Sequence, residues 1–270
     1  MMNATLELIH KRRSTRNYSS QPVTQEEKDA ILQAAMRAPT AGNMMLYSII
    51  EIEDQGLKDR LAVTCDDQPF IARAPYVLLF AADYQRWMDL FELSSAAQDC
   101  QEKGLTPRLP QEGDLLLACC DALIAAQSAV IAAESLGIGS CYIGDILENA
   151  EVHRDLLRLP RYTLPITLLC FGHPAGAREE RSTTRRFERE FIVHRDGYQR
   201  TPAANLLRML ETYPAGQYAN LSSEERTKAI ARGMYTRKFV SEFSVEMSRS
   251  VRKWLDTWTG KDNTVESEGK

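Results

Sequence analysis

The sequence lacks the residue patterns that mark several common classes of protein. Its six cysteines form no CxxC pair and its four histidines are scattered, so no metal site is expected. It contains no GxGxxG after a strand-like run, no GxxxxGK followed by Ser or Thr, and no GxSxG. These absences argue against a Rossmann-type nicotinamide enzyme, a P-loop nucleotide hydrolase and a serine hydrolase with a nucleophile elbow.

Long uninterrupted apolar runs are also absent. The most apolar stretch, residues 115–133, is interrupted by Asp121 and Gln127, so it lacks the roughly 18 consecutive apolar residues of a membrane span. Residues 1–14 contain no apolar segment of the kind found in a secretory signal. We therefore expect no membrane partner. We expect the cysteines to be buried free thiols in a cytoplasmic protein.

The composition is ordinary for a globular protein, with 270 residues of which 44% are apolar and 26% charged. A chain of this length can form a core large enough to hold a cofactor. The 33 basic and 37 acidic residues give a net charge of −4. This balance argues against a nucleic-acid partner, which needs a broad basic face, but it is compatible with one local cationic pocket.

The periodicity of apolar residues predicts several helices and few strands. Helices are predicted at 3–11, 24–38 and 114–136. Thr24 and Glu27 form a capping box at the start of the second helix. Strands are predicted at 47–54, 74–83, 164–176 and 191–194. This order predicts an α+β fold, with one domain at 1–200 and a helical C-terminal extension at 201–270 that packs on the core or on a partner subunit.

A cluster of cations follows the first predicted helix of this acidic chain. It consists of Lys11, Arg12, Arg13 and Arg16. Three explanations are open: a nucleic-acid or targeting patch, cations that complement a helix C-terminus, or a pocket for one anion. An extended chain would place Arg12, Ser14 and Arg16 on one side, where they could bind a phosphate group through charge-assisted hydrogen bonds.

Two motifs carry a resemblance to a known family. The run RRSTRNY, from Arg12 to Tyr18, resembles the opening motif of the FMN-dependent nitroreductase family, Arg-Arg-Ser-x-Arg followed by an aromatic residue. The run RAPTAGNMM resembles the family's next signature, a helix that ends in Ala-Pro-Ser/Thr before an Asn. Segments 66–86, 115–146 and 164–176 resemble, in the same order, the branch of oxygen-insensitive NADPH nitroreductases and NADPH–flavin reductases.

The resemblance implies a nitroreductase-like fold, with a central and mainly antiparallel sheet flanked by helices. It also implies a homodimer with FMN in each of two sites at the subunit interface. By position, the residues that would hold the phosphate and ribityl chain are Arg12, Arg13, Ser14 and Arg16, with Arg186 and its neighbour Arg185. Those that would line the ribityl chain and the flavin ring are Thr40, Ala41, Asn43, Gln68, Tyr142, Ile143 and Gly144.

Two further segments bear on the substrate side. The run ARGMYTRKF resembles the tail loop of this branch, in which Arg232 and Arg237 would contact the 2′-phosphate of NADPH. The alternative is that both arginines lie on a solvated helix face. Many relatives continue the Asn motif with Gln-Pro-Trp, whereas this chain has Met44 and Met45, which either pack in the core or shape the face of the flavin.

The implied function is that of an FMN-dependent NAD(P)H oxidoreductase. Reduced nicotinamide would transfer hydride to the flavin and leave, and a nitroaromatic, a quinone or a free flavin would then accept electrons in a ping-pong scheme. FMN carries the chemistry, so we name no catalytic residue. The alternative is a flavin-binding redox sensor or carrier without reductase turnover.

Overall fold

The computed structural model describes residues 3–176, 184–214 and 216–262. The chain divides into two compact units. The first contains residues 1–180 and 246–270, and the second contains residues 181–245. The expected boundary at residue 200 between a domain and a helical extension stays a prediction.

The described residues form ten helices and four strands, and the strands make one sheet in the first unit. The helices are α1 (Ala4–Lys11), α2 (Gln25–Met36), α3 (Gln55–Thr64), α4 (Gln85–Leu93), α5 (Ala96–Glu102), α6 (Glu112–Ser135), α7 (Ala150–Leu157), α8 (Ala203–Leu206), α9 (Ser223–Met234) and α10 (Glu242–Thr259). The strands are β1 (Tyr47–Glu51), β2 (Tyr76–Asp83), β3 (Gly139–Ile143) and β4 (Thr163–Gly172). The sheet has the order β1-β2-β4-β3 and every neighbouring pair is antiparallel, which confirms the α+β expectation.

One predicted strand is wrong and one observed strand was not predicted. Residues 191–194 do not form a strand: a 3₁₀ turn occupies Arg189–Phe191, Ile192 and Val193 are exposed, and these residues pair with no strand among the described residues. The fourth strand is β3, whose sequence GSCYI is short and rich in small residues. Its pairing with β4, 29 positions away at Cys141 and Cys170, makes it a strand, and this pairing has no local signal.

The core has a layer of helix on each face of the sheet. Alternate residues of β2 point to opposite faces, so Leu78 and Phe80 pack against α2 and α6, whereas Val77 and Leu79 pack against α3. All eight residues of β2 are buried, as its continuous apolar run predicts. The alanines of α6 allow this long helix to lie close to α2 and the sheet.

The helix α6 has one buried face and one exposed apolar face. Among the residues that the structure describes, it alone is long and apolar enough to cross a membrane, but its buried face belongs to the core. Its exposed apolar residues recur at helical spacing: Leu116, Leu117, Cys120, Leu123 and Ile124. On α1, which contacts α6, Leu6 and Ile9 are also exposed.

The second half of α10 is anchored to the first unit by two tryptophans. Trp258 is 1% exposed and stacks edge-on against Tyr84 and Tyr162. Its indole N–H donates to the carbonyl of Gln111 at 3.2 Å. Trp254 likewise donates to the carbonyl of Leu147 at 3.1 Å. Each ring is therefore buried with its polar atom satisfied.

Candidate functional site

The arginine–serine segment leaves α1 in extended conformation and runs beside β3. The N–H of Thr15 donates to the carbonyl of Ser140 at 2.8 Å, and Ser14 bridges Ser140 in parallel register. Thr15 is buried against Gly139, where an added Cβ would lie 2.6 Å from the Cβ of Thr15. Because side chains alternate along an extended segment, Ser14 and Arg16 are exposed on the other side.

The cations Arg12 and Arg16 of this segment lie near the edge strand β3. Burial raises the pKa of the Cys141 thiol, and this rise is opposed by the charge of Arg16, a hydrogen bond with Ser14 and the charge of Arg12. Burial raises the pKa of Tyr142 to about 12, again against the charge of Arg12. The guanidinium of Arg16 also lies 5.6 Å from the centre of the Phe70 ring. Arg12, Ser14 and Arg16 therefore lie together near Cys141, as the extended alternation predicts, and both Arg12 and Arg13 are half-buried.

Gln68 connects the end of α3 to the residues that follow β3. Its side-chain N–H donates to the carboxylate of Asp145 at 2.9 Å and to the carbonyl of Cys65 at 2.9 Å. Asp145 comes directly after Gly144, which is exposed, and an added Cβ at Gly144 would meet no atom within 4 Å. Ile143 is buried. The backbone at Gly144 is thus open to a ligand, with the Gln68 amide held nearby.

The loop before β1 is held by one buried carboxylate from α6. Asp121 is 3% exposed and accepts hydrogen bonds from the N–H of Ala41 at 3.0 Å, the N–H of Leu46 at 3.1 Å and the hydroxyl of Thr40. The Thr40 oxygen in turn accepts from the N–H of Met45 at 2.8 Å. The Thr40 hydroxyl therefore forms hydrogen bonds within the loop, and its contact with the flavin cofactor stays a prediction.

The same loop contains strained backbone. Asn43 and Met45 have φ angles of 56° and 49°, in the left-handed region that favours glycine. Asn43 is exposed. Met44 and Met45 are half-buried, and each packs against a cluster of buried apolar side chains in the core. The two methionines thus contribute to the core, as one of their two interpretations predicts, and Asn43 faces outward.

The candidate residues of the first unit form two separate groups within one chain. The first group lies along β3 and consists of Arg12, Arg13, Ser14, Arg16, Gln68, Tyr142, Ile143 and Gly144. The second lies before β1 and consists of Thr40, Ala41 and Asn43. Since β1 and β3 are the opposite edges of the sheet, three strand spacings, or about 14 Å, separate the two edges.

The other candidate arginines lie in the second unit and are all exposed. Arg185 donates to the carbonyl of Thr212 at 3.2 Å, and Arg186 donates to the carbonyl of Thr184 at 3.2 Å. Arg232 is near the end of α9, and Arg237 lies in the π-helical turn Tyr235–Phe239 that follows. Their roles stay predictions.

A buried acid beside the first group was missed by the sequence reasoning. Glu148 is 6% exposed, and its Oε1 has no hydrogen-bond partner among the described residues. Burial raises the pKa of its carboxyl group to about 7, with further contributions from Asp145, Asp66 and Glu246. No sequence motif marks this residue, because its environment comes from three separate segments.

Glu148 should make stability depend on pH. Its folded-state pKa lies above the ordinary value near 4.5, so wild-type stability is greatest when the carboxyl is protonated and falls as pH rises from about 4.5 through about 7. Glutamine is neutral throughout. We therefore expect Glu148→Gln to become more stable relative to wild type by about 2 kcal/mol between pH 5 and pH 8, measured by urea unfolding. An unchanged difference at the two pH values would contradict this, and the exposed Glu92→Gln is the control.

The sequence matches the model of one protein family. Residues 9–173 match the model of the nitroreductase family. The chain belongs to the nitroreductase family. The assignment from the arginine–serine and Ala-Pro-Thr motifs is thus confirmed. Its antiparallel sheet flanked by helices is the nitroreductase fold that the resemblance implied.

Several proteins to which this chain is similar are reductases by name. It is 34% identical over 198 residues to an oxygen-insensitive NADPH nitroreductase of Salmonella typhimurium, covering 73% of this chain and 76% of that protein. It is 33% identical over 199 residues to an FMN reductase (NADPH) of Bacillus subtilis, covering 73% and 75%. The structure of an NADPH:FMN oxidoreductase from Vibrio harveyi, in complex with NAD+, has a TM-score of 0.71 at 26% identity over 94% of this chain and 98% of that one.

Proposed function

We propose that this nitroreductase is an FMN-dependent NAD(P)H oxidoreductase that reduces nitroaromatics, quinones or flavins. The observation that carries the proposal is the set of Arg12, Ser14 and Arg16 on one side of an extended segment, next to the open backbone at Gly144. Two arginines and a hydroxyl fit a phosphate group, because guanidinium forms charge-assisted, bidentate hydrogen bonds with phosphate oxygens. The names of the relatives point to the same cofactor and electron donor.

The protein's own part is to bind and orient. Arg12, Ser14 and Arg16 would hold the phosphate and ribityl end of FMN, and Gln68 and the backbone at Gly144 would contact the ring. When bound, FMN supplies the hydride chemistry between nicotinamide and acceptor. Since no side chain has to donate or remove a proton for this exchange, rate depends on how the chain positions both substrates at one open face.

The absorption spectrum of the purified protein tests this function. We expect a flavin band, either as isolated or after addition of FMN, and steady-state NADPH oxidation with a nitroaromatic or a quinone. A protein that takes up no FMN would contradict the central claim. A yellow protein that oxidises neither NADPH nor NADH with any acceptor would instead support the redox sensor or carrier.

We also propose a homodimer whose interface completes each flavin site. The two groups of candidate residues lie at opposite edges of one sheet whose faces are covered by helices, so one FMN would contact both groups if they came from different subunits. An apolar surface is available for this contact, because the exposed residues of α6 continue onto Leu6 and Ile9 of α1. α1 leads directly into Arg12, so the residues that would bind the phosphate of FMN lie beside this surface.

A charge on this surface should therefore separate the subunits. Leu117 is 52% exposed on α6, and we expect Leu117→Glu to give monomers in analytical ultracentrifugation and to lose FMN. The control is Val63→Glu, which introduces the same charge at a residue 64% exposed on α3. A Leu117→Glu variant that stays dimeric and yellow would show that subunits associate through a different surface.

Two further roles belong to this proposal. Arg232 and Arg237 would contact the 2′-phosphate of NADPH, and the position of Arg237 in a π-helical turn supports this because such turns are frequent at functional sites. A cytoplasmic location is supported by the cysteines, none of which forms a disulfide.

A further inference from the structure

A large cavity lies away from the β3 group, between α7 and the C-terminal half of α10. Its volume is about 970 Å³, which is the size of a site for a nucleotide-sized molecule. The residues that line it include Arg154, Arg158, Leu159, Arg161, Lys253 and Trp254. Three acids, Glu151, Asp155 and Asp262, also line it, so the cations outnumber the acids by one.

Among the residues that the structure describes, ion pairing involves some of the charged groups of the cavity and not others. Glu151 forms a bidentate salt bridge with Arg249, in which each of the two hydrogen bonds is 2.8 Å long. Lys253 pairs with Asp262 at 2.6 Å. Among the described residues, by contrast, the guanidinium groups of Arg154, Arg158 and Arg161 have no hydrogen bond and no salt bridge, although Asp155 also lines the cavity. The cavity therefore carries an excess of positive charge.

Arg161 is held in place without having its charge satisfied. Its guanidinium lies 5.0 Å from the centre of the Tyr162 ring and packs against the backbone of Gly260. Its Nε is buried and has no hydrogen-bond partner. A buried donor that has no partner costs free energy unless a water or a ligand accepts its proton. The guanidinium group of Arg161 is thus held in place for an acceptor that the described residues do not provide.

A helix C-terminus explains only part of this cluster. Arg154 lies in the last turn of α7 and Arg158 caps it, so both would complement the helix dipole. Arg161, however, follows Pro160 outside the helix. Burial also lowers the pKa of the Arg154 guanidinium; the charges of Asp262 and Asp155 oppose this change, and the charge of Arg161 adds to it. Arg154 and Arg161 therefore repel each other in a partly desolvated space.

We propose that this cavity is a second anion site, which binds the dianionic phosphate of a small molecule through Arg154, Arg158 and Arg161. Three guanidinium groups match the three outer oxygens of a phosphate monoester, and bidentate pairing with arginine is the geometry that phosphate favours. Trp254 and Leu159 provide an apolar wall for the organic part of a phosphate ester. This site is distinct from the residues that would bind the phosphate of FMN, and the proposal does not depend on FMN binding.

The test separates the two phosphate sites by mutation. Inorganic phosphate and AMP are titrated calorimetrically into the Arg12→Ala/Arg16→Ala protein, in chloride buffer at constant ionic strength. We expect one site per chain. Adding Arg154→Gln and Arg158→Asn should weaken binding by about tenfold or more, since each removes a charge-assisted bond. Asn tolerates the left-handed backbone of Arg158, where φ is 52°, so this change adds no strain.

Two controls make the result specific. Arg252→Ala removes an exposed cation from the same helix as Lys253 without touching the cavity, and it should leave phosphate affinity unchanged. Arg161→Lys keeps the positive charge but removes the guanidinium group that can bind two phosphate oxygens at once. This change should weaken phosphate binding. Binding of either probe that depends on these arginines supports the proposal. Absence of binding by both probes, or equal losses in the cavity variants and in Arg252→Ala, would overturn it, whatever the outcome of the flavin experiments.

Discussion

Replacing Arg12 and Arg16 together by alanine is expected to weaken FMN binding by at least about 100-fold. The two side chains flank Ser14 on one side of the segment beside β3. Each charge-assisted hydrogen bond to phosphate is worth roughly 1.5–3 kcal/mol, so loss of both corresponds to two or more orders of magnitude in affinity. The measurement is fluorescence titration of the apoprotein with FMN.

Lys11→Ala is the matched control for this experiment. Lys11 belongs to the same cationic cluster, but its side chain is 80% exposed and its nearest acid is Glu7 on α1, at 4.0 Å. It ends the helix and does not face β3, so its removal should change FMN affinity less than threefold. Equal losses in Lys11→Ala and in the double variant would mean that only net charge matters. An unchanged affinity in the double variant would show that the phosphate binds elsewhere.

The sequence was informative wherever a local pattern determined the structure. The unbroken apolar run of β2 predicted a strand buried on both faces, and the Thr24–Glu27 capping box has the expected pair of hydrogen bonds. The edge strand β3 was missed because GSCYI has no clear alternation. The apolar residues at 191–194 were mistaken for a strand because their exposure depends on which surfaces lie near them, which a local pattern does not contain.

The candidate site also contains some features that follow from a local sequence pattern and others that depend on contacts between distant residues. The cations of Arg12 and Arg16 and the extended segment between them follow from a short motif. The contacts of Gln68 with Asp145, and of Ala41 with Asp121, join residues 77 and 80 positions apart. Asp121 did give a signal, since an acid within an apolar helix must be paired if it is buried. It was noticed only as an interruption of the apolar run.

Asp121→Ala is expected to lower the free energy of unfolding by about 3–5 kcal/mol and to reduce FMN binding with it. The carboxylate accepts from the Thr40 hydroxyl and from the N–H groups of Ala41 and Leu46, and alanine would leave these donors without an acceptor in a site with little water. The left-handed Met45 next to them would lose its support. Urea unfolding measures the first effect and FMN titration the second.

Asp121→Asn separates charge from hydrogen bonding at this position. It keeps one carbonyl oxygen but turns an NH₂ group toward the donors of the loop, so we expect a smaller loss of about 2 kcal/mol. The control is Glu112→Gln on the same helix, which is exposed and should change stability by less than about 0.5 kcal/mol. If Asp121→Asn unfolds at the wild-type urea concentration, the loop is stabilised by packing of Met44 and Met45 and not by this carboxylate. Because the loop carries the second group of flavin residues, the same variant with wild-type stability but weakened FMN binding would assign Asp121 a positioning role.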